Sequence, residues 1–339
     1  MTNKIVFSGI QPTGSLHVGN YFGSIKNWLS FQDDDACDLI VSVVDWHAIS
    51  VLPFPSVDDS LFTVASYIAS GISPEQSSII LQSSIQEHTE LQWVLSIITK
   101  LGWLNRMTQY KDKSSKHDNN ALGLYAYPVL MASDVLLYDT DIVPVGMDQV
   151  QHVELIRTIA KSFNQTVNKQ IFKIPELSLN EQTMKIKSLS DATKKMSKSD
   201  ASDKGRINLT DSNDLISSKI MSAKTLSVPN TTVFDYHVIK SNPELNNLVV
   251  LYSACTGLST EEASSLFKSC SQFKKLLVEV LVDLISPIRE KINHLMNDKK
   301  YLISVLQNGK AKVLPQVQKK MDDIKELIGI MKLYQTLDN

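Results

Sequence analysis

Two apolar runs, Ile5 to Phe7 and residues 39–46 (LIVSVVDW), bracket a stretch whose large apolar residues recur at helical spacing. These are Leu16, Val18, Tyr21, Phe22, Ile25, Trp28 and Leu29. Continuous apolar runs of this length read as strands buried on both faces. A strand, a helix and a second buried strand imply parallel strands joined by a right-handed crossover. Gly9, Pro12 and Gly14 punctuate the turn between the first strand and the helix. Glycines there let the backbone approach an anion, and the helix start offers free N–H groups and a partial positive charge. A nucleotide site at the start of the chain is expected.

The alternation continues. Val57 to Gly71 predicts an amphipathic helix, Ser78 to Leu81 a third strand and Leu91 to Leu104 a further helix. Residues 106–120 turn polar and basic. Tyr127 to Tyr138 predicts a helix with Pro128 in its first turn, and Ile142 to Val145 a short strand ended by Gly146. Val150 to Phe163 is the next helix, and the pattern to about residue 175 predicts an open α/β sheet. Residues 191–206 (DATKKMSKSDASDKGR) form a polar surface loop or hinge. Beyond it the pattern is mostly helical. Gly257 stops one helix, Ser259 with Glu262 has capping-box spacing, Pro287 is expected to open a helix, and Pro315 to start or kink the last one.

Composition narrows the function classes. The three cysteines, Cys37, Cys255 and Cys270, share no metal-ligand spacing, which argues against a disulfide frame or structural zinc and suits a reducing cytoplasm. No apolar run reaches the roughly 18 residues of a membrane span, and no secretory leader is expected at the N-terminus. The net charge of −2 gives no global attraction to nucleic acid. From Ser271 onward, however, twelve Lys/Arg face eight Asp/Glu, a balance of +4 that could meet phosphates.

Gln11-Pro12-Thr13-Gly14 followed by His17-Val18-Gly19-Asn20 resembles the first signature of class I aminoacyl-tRNA synthetases, and Lys195-Met196-Ser197-Lys198-Ser199 resembles the second. Within that class the chain is similar to the bacterial-type tryptophan branch. The similarity rests on FSGIQPTG (7–14), GNY (19–21), VDWHAI (44–49), RMTQYKDKS (106–114), YPVLMASDVLLY (127–138), DIVPVGMDQVQH (141–152) and ATKKMSKSD (192–200). NLVVLYSACTG (247–257) fits more loosely.

The resemblance implies a Rossmann-like doubly wound parallel sheet with a C-terminal all-helical domain. Residues 1–190 would form the catalytic domain, 191–206 the loop and hinge, and 207–339 a helical domain that binds the anticodon, its last helix packing back on the catalytic domain. It implies a ligase that joins tryptophan to AMP, using ATP with Mg²⁺ on its phosphates, and then passes it to the terminal adenosine of tRNA(Trp). A cytoplasmic homodimer is expected. His17, Asn20, Lys195 and Lys198 would be the catalytic group. Gln11, Pro12, Thr13, Gly19, Lys111, Lys113, Gly146, Met147, Asp148, Ile186, Met196, Ser197 and Ser199 would join them around ATP. Asp134 would accept the indole N–H, a donor that is costly to bury without a partner. Phe7, His47, Met131, Val143 and Val145 would line the ring slot, and Tyr127 with Gln149 would hold the α-ammonium group. No residue is expected to bind a resident metal.

The chain departs from this pattern at Asn20, Trp46, Met147, Lys187 and Ala192, where the resemblance leads one to expect His, Gln, an acid, Met and Pro. Alternatives are the tyrosine enzyme of the same subclass, a catalytically silent tRNA-binding homologue and a small-molecule nucleotidyltransferase. The first commonly carries a further RNA-binding module, the second would be expected to lose the phosphate-binding residues, and the third has no use for the 195–199 loop.

Overall fold

In the computed structural model, residues 3–50, 53–108, 121–179, 186–198, 200, 202–225, 236–266 and 269–331 are described. The chain opens with β1 (Lys4–Ile10), α1 (Val18–Asn20), a π-helical turn (Tyr21–Ile25) and α2 (Lys26–Gln32). Then follow β2 (Cys37–Val43), α3 (Asp45–Ala48), α4 (Val57–Ala69), β3 (Ser78–Leu81), α5 (Glu87–Ile98) and α6 (Leu101–Leu104). Next come α7 (Leu122–Leu136), β4 (Ile142–Val145), α8 (Val150–Thr166) and β5 (Glu176–Leu179). The strands form one sheet in the order β3-β2-β1-β4-β5, and every pair is parallel. The order reverses between β1 and β4. In a doubly wound sheet that reversal opens a crevice at the carboxyl ends of the strands, where ligands bind.

Alternation along the strands splits the core. Val6, Leu39, Val41 and Ile79 face one layer, built on the first helices, α4 and the C-terminal helices. Phe7, Ile40, Ile80 and Val143 face the other, with residues of α5, α7 and α8. A period of two sends neighbouring side chains to opposite faces, so a strand buried on both must be apolar throughout.

The later part of the chain is helical: α9 (Asn213–Ser222), α10 (Tyr236–Ser241), α11 (Pro243–Thr256), α12 (Thr260–Ser265), α13 (Cys270–Asn297) and α14 (Lys299–Leu327). Two of its boundaries follow the sequence signals. Gly257 ends α11 in the left-handed conformation at φ 79°, and Ser259 and Glu262 form the capping box that opens α12. The prolines behave differently. Pro128, Pro287 and Pro315 lie inside α7, α13 and α14, so Pro287 does not open a helix and Pro315 does not start one; each lies within a continuous helix. Proline removes one helical hydrogen bond, a cost that tertiary burial of the apolar stripe offsets. Ile285 and Ile288 on one helix and Val313 and Val317 on the other are all buried beside their proline.

α14 crosses the edge strand β3. Leu302 and Val305 join the first core layer, whereas Val313, Val317, Met321 and Ile324 join the second. Gly309 marks the crossing, where a Cβ would run into the Ile79 carbonyl oxygen. Lys320 Nζ reaches Asp139 Oδ1 at 2.6 Å and the Ile171 carbonyl at 2.9 Å. An uncovered edge strand invites pairing with other chains, and this helix covers it.

Candidate active site

A cavity of about 1060 Å³ opens at the predicted crevice. Its wall includes Phe7, Gly9 and Gln11 from the end of β1 and the turn after it, His47 from α3, and Val143 to Gln149 from β4 and the turn after it. Gly19, Asn20, Tyr127, Met131, Asp134, Ile186, Lys187, Lys195 and Met196 complete the parts that bear chemistry. Among the expected residues, Pro12, Thr13, His17, Ser197 and Lys198 are not on this wall. Lys111, Lys113 and Ser199 lie outside the described residues.

One end of the cavity is built on a buried carboxylate. Asp134, on α7, is 2% exposed. Its Oδ2 lies 2.7 Å from His47 Nε2. Its Oδ1 accepts from Gln82 Nε2 at 2.7 Å, and His88 Nδ1 lies at the same distance from it. Burial alone would push this carboxyl up, but His47 and His88 hold it well below the usual carboxylate range. The group is therefore ionised. His88 is itself positioned by Tyr138, whose hydroxyl is 2.8 Å from His88 Nε2. A carboxylate offers about four lone-pair sites. Among the described residues Oδ2 has one partner, so an acceptor site remains there. Phe7 stacks on Tyr138 with ring centroids 5.4 Å apart. Tyr127 meets His152 Nε2 through its hydroxyl at 2.8 Å, and burial pushes its phenol up to about 12.

The other end is polar. From Ile186 onward the chain packs over the first signature. Met196 N–H donates to the Ile186 carbonyl at 3.3 Å, and the Met196 side chain is buried. Val18 N–H donates to the Ile207 carbonyl, Leu209 N–H donates to the Leu16 carbonyl, and His17 bridges Asn208. The two signatures, some 180 positions apart in the sequence, are thus packed together. Lys198 Nζ donates to the Gln11 carbonyl at 3.3 Å. Lys195 lies 3.5 Å from Asp148 Oδ1. An ion cluster anchors the far end of the loop: Lys219 Nζ sits 2.7 Å from the buried Asp211 Oδ2 and 2.5 Å from Oδ2 of the half-exposed Asp203.

Gly19 is required by its neighbour. A Cβ there would come within 2.9 Å of the His17 ring. The ring is buried, and among the described residues its Nδ1 has no hydrogen-bond partner. Burial first, then Lys198, Arg206 and Lys195, lower the His17 imidazole to about 3. It is neutral, so it offers hydrogen bonds and no charge. Asn20 Oδ1 accepts the His17 N–H at 3.2 Å, leaving the Asn20 amide nitrogen for a ligand.

Gln82, His88, His152 and Asn247 were not legible as site residues. Each acts through another residue, and no spacing rule links them to it.

A nucleotide-type crevice with two basic and polar signatures closed over it defines a class. A family model described as tRNA synthetases class I (W and Y) matches residues 2–283, and the chain belongs to this family. Curated relatives include tryptophan–tRNA ligases. That of Rickettsia conorii is 45% identical, the match covering 97% of this chain and 99% of the relative. A Campylobacter jejuni tryptophanyl-tRNA synthetase solved with ADP and tryptophan is 33% identical, with a TM-score of 0.81 over 96% of this chain and 99% of that one. The Mycoplasma pneumoniae enzyme is 30% identical, with a TM-score of 0.86 over 98% and 99%.

Burial pushes the Lys198 ammonium down from its ordinary 10.5 to about 7. Between those values the docked lysine binds fewer protons than a solvated one, so docking of the loop gains stability as pH rises through this window and loses it as pH falls. NMR of labelled lysine Nζ is expected to show one resonance titrating near 7 that Lys198→Met removes. Titration of every lysine near 10 would contradict this.

Proposed function

We propose that the chain is a tryptophan–tRNA ligase. Tryptophan's carboxylate attacks the α-phosphate of ATP, giving tryptophanyl-AMP and pyrophosphate, and the 3′-terminal adenosine of tRNA(Trp) then takes the aminoacyl group. The observation that carries this reading is the ionised, buried Asp134 with a spare acceptor on Oδ2, set in the same cavity as the paired signatures.

The indole N–H donates to Asp134. Phe7, His47, Met131, Val143 and Val145 form the ring slot, and Tyr127 and Gln149 take the α-ammonium group. An amino acid without the N–H leaves a buried carboxylate short of a donor, and polar readout of that kind discriminates strongly. Gly146 and Asp148 meet the ribose. A Cβ on Gly146 would press on Asp148 Oδ1 at 2.9 Å, so glycine leaves room for that carboxylate. Ile186, Met147 and Met196 lie along the nucleotide, and Gln11, Pro12, Thr13 and Gly19 shape the turn beneath it.

Transfer at phosphorus needs positioning and charge stabilisation more than a protein nucleophile. Lys195 and Lys198 supply positive charge as pyrophosphate leaves, joined by Ser197, Ser199, Lys111 and Lys113. Lys198 leaves the Gln11 carbonyl for a phosphate oxygen and becomes fully charged there. His17 and Asn20 donate hydrogen bonds, and His17 reaches a ligand only if segment 186–209 shifts off it. Mg²⁺ is assigned to the phosphate oxygens of ATP. Among the described residues no group of three His, Cys, Asp or Glu is placed to hold a metal ion.

The basic C-terminal helices bind the anticodon end of the tRNA, with residues 207–339 as that domain, 191–206 as hinge and 1–190 as the catalytic domain. The enzyme works in the cytoplasm. Among the described residues no helix is long and apolar enough to cross a membrane. A homodimer is supported by one apolar face: Trp93 and Ile97, one turn apart on α5, are each 72% exposed, and Leu101 and Leu122 are also exposed. Sedimentation velocity is expected to show a dimer that Trp93→Glu with Ile97→Glu dissociates; a wild-type monomer would contradict the assignment. Wild-type protein is expected to charge a tRNA(Trp) transcript with tryptophan. Lys198→Ala is expected to lower kcat by roughly 10²–10³-fold, as loss of one transition-state contact does elsewhere. Full activity in the variant would remove the role given to the loop.

A further inference from the structure

Lys187 stands in the cavity wall, and nothing described so far uses its side chain. Its backbone is clamped by a single residue of the helical region. Lys187 N–H donates to Asn247 Oδ1 at 2.8 Å, and Asn247 Nδ2 donates to the Lys187 carbonyl at 3.0 Å. Asn247, on α11, is buried. So position 187 is fixed, and only the four-carbon stem of the lysine is free to swing.

Lys187 also pairs with Lys195 in an isolated antiparallel bridge. Residues opposite one another in such a bridge carry their side chains on the same face, about 5 Å apart, and like charges there repel. Both side chains border the same cavity. Lys195 has Asp148 Oδ1 as a partner, at the long distance of 3.5 Å. Lys187 Nζ has no ion pair or hydrogen bond among the described residues. The neighbouring wall residue Met147 brings no compensating carboxylate. Two lysines paired across one bridge at the wall of one cavity, with a single carboxylate 3.5 Å from the exposed Lys195 ammonium, are a charge arrangement that an anion relieves. A polyanion relieves it most.

We propose that Lys187 is an anion-binding residue of this cavity, contacting the β- and γ-phosphates of a nucleoside triphosphate beside Lys195. The proposal rests on the reading of the cavity as an ATP site. It gives this chain a phosphate contact at a position where the resemblance leads one to expect an uncharged Met. It also links nucleotide binding to the helical region through Asn247, because the residue that meets the phosphates hangs from α11.

The test uses the full-length protein with Lys187→Met and Lys187→Arg, titrated calorimetrically with ATP, inorganic pyrophosphate, adenosine and tryptophan. A hydrogen bond to a charged group is worth about 10- to 100-fold in affinity. Lys187→Met is expected to weaken ATP and pyrophosphate by that factor, to leave adenosine and tryptophan unchanged, and to flatten the salt dependence of pyrophosphate binding. Lys187→Arg, which keeps the charge, is expected to recover most of the loss. Three outcomes overturn the proposal. If Lys187→Met binds pyrophosphate as wild type does, the lysine has no phosphate role. If adenosine or tryptophan binding falls in parallel, the side chain is structural. If wild-type protein binds no ATP, the underlying reading of the cavity fails and the assignment falls with it.

Discussion

A carboxylate kept out of water holds one end of the cavity together. Asp134 comes from α7, and its partners come from three other places: His47 from α3 after β2, Gln82 from the turn after β3, and His88 from the start of α5. An ionised carboxylate in this position without donors would be driven to the neutral acid. With them it stays charged, and leaving any one donor unmatched costs about 1–3 kcal/mol. The positions of four segments are therefore tied to the same charge. That charge borders the cavity that Phe7, Met131 and Val143 also line, which in the proposed reading suits a flat apolar ring carrying one N–H.

The nucleotide end rests on a different constraint. Gly19 makes room for the His17 ring, burial keeps that ring neutral, and segment 186–209 packs over both. In the proposed reading, the lysines that meet phosphate are held elsewhere in the free protein. Lys198 is stored by burial against a backbone carbonyl, with its proton loosely held. Lys195 is stored in a long contact with Asp148. The Lys219, Asp203 and Asp211 cluster anchors the residues beyond the loop. A buried pair of this kind contributes more to geometry than to net stability.

Much of this was legible in the residues. The apolar runs at Ile5 and Leu39 and the helical spacing between them implied the parallel unit that β1, α2 and β2 form. Glycines and prolines were read less well. Gly257 ended a helix as its φ requires, but Pro287 and Pro315 did not interrupt theirs, because burial of long apolar stripes outweighs one lost hydrogen bond. The π-helical turn at Tyr21 to Ile25, which sets Gly23 and Ser24 on the cavity wall, has no sequence signature at all. His88 and Gln82 were invisible for another reason. A residue that acts on a carboxylate some 50 positions away leaves no local pattern, and buried polar networks are assembled by the fold. The functional motifs were legible because they are contiguous; their supports were not.

The central claim is that one cavity joins an indole-reading carboxylate to a triphosphate clamp. Pyrophosphate exchange into ATP, measured with tryptophan, 1-methyltryptophan and tyrosine, tests it most directly. Exchange is expected with tryptophan, and a kcat/KM lower by at least about 10³-fold with the other two, each of which lacks the indole N–H. Equal exchange with 1-methyltryptophan, or exchange with tyrosine in place of tryptophan, would contradict it.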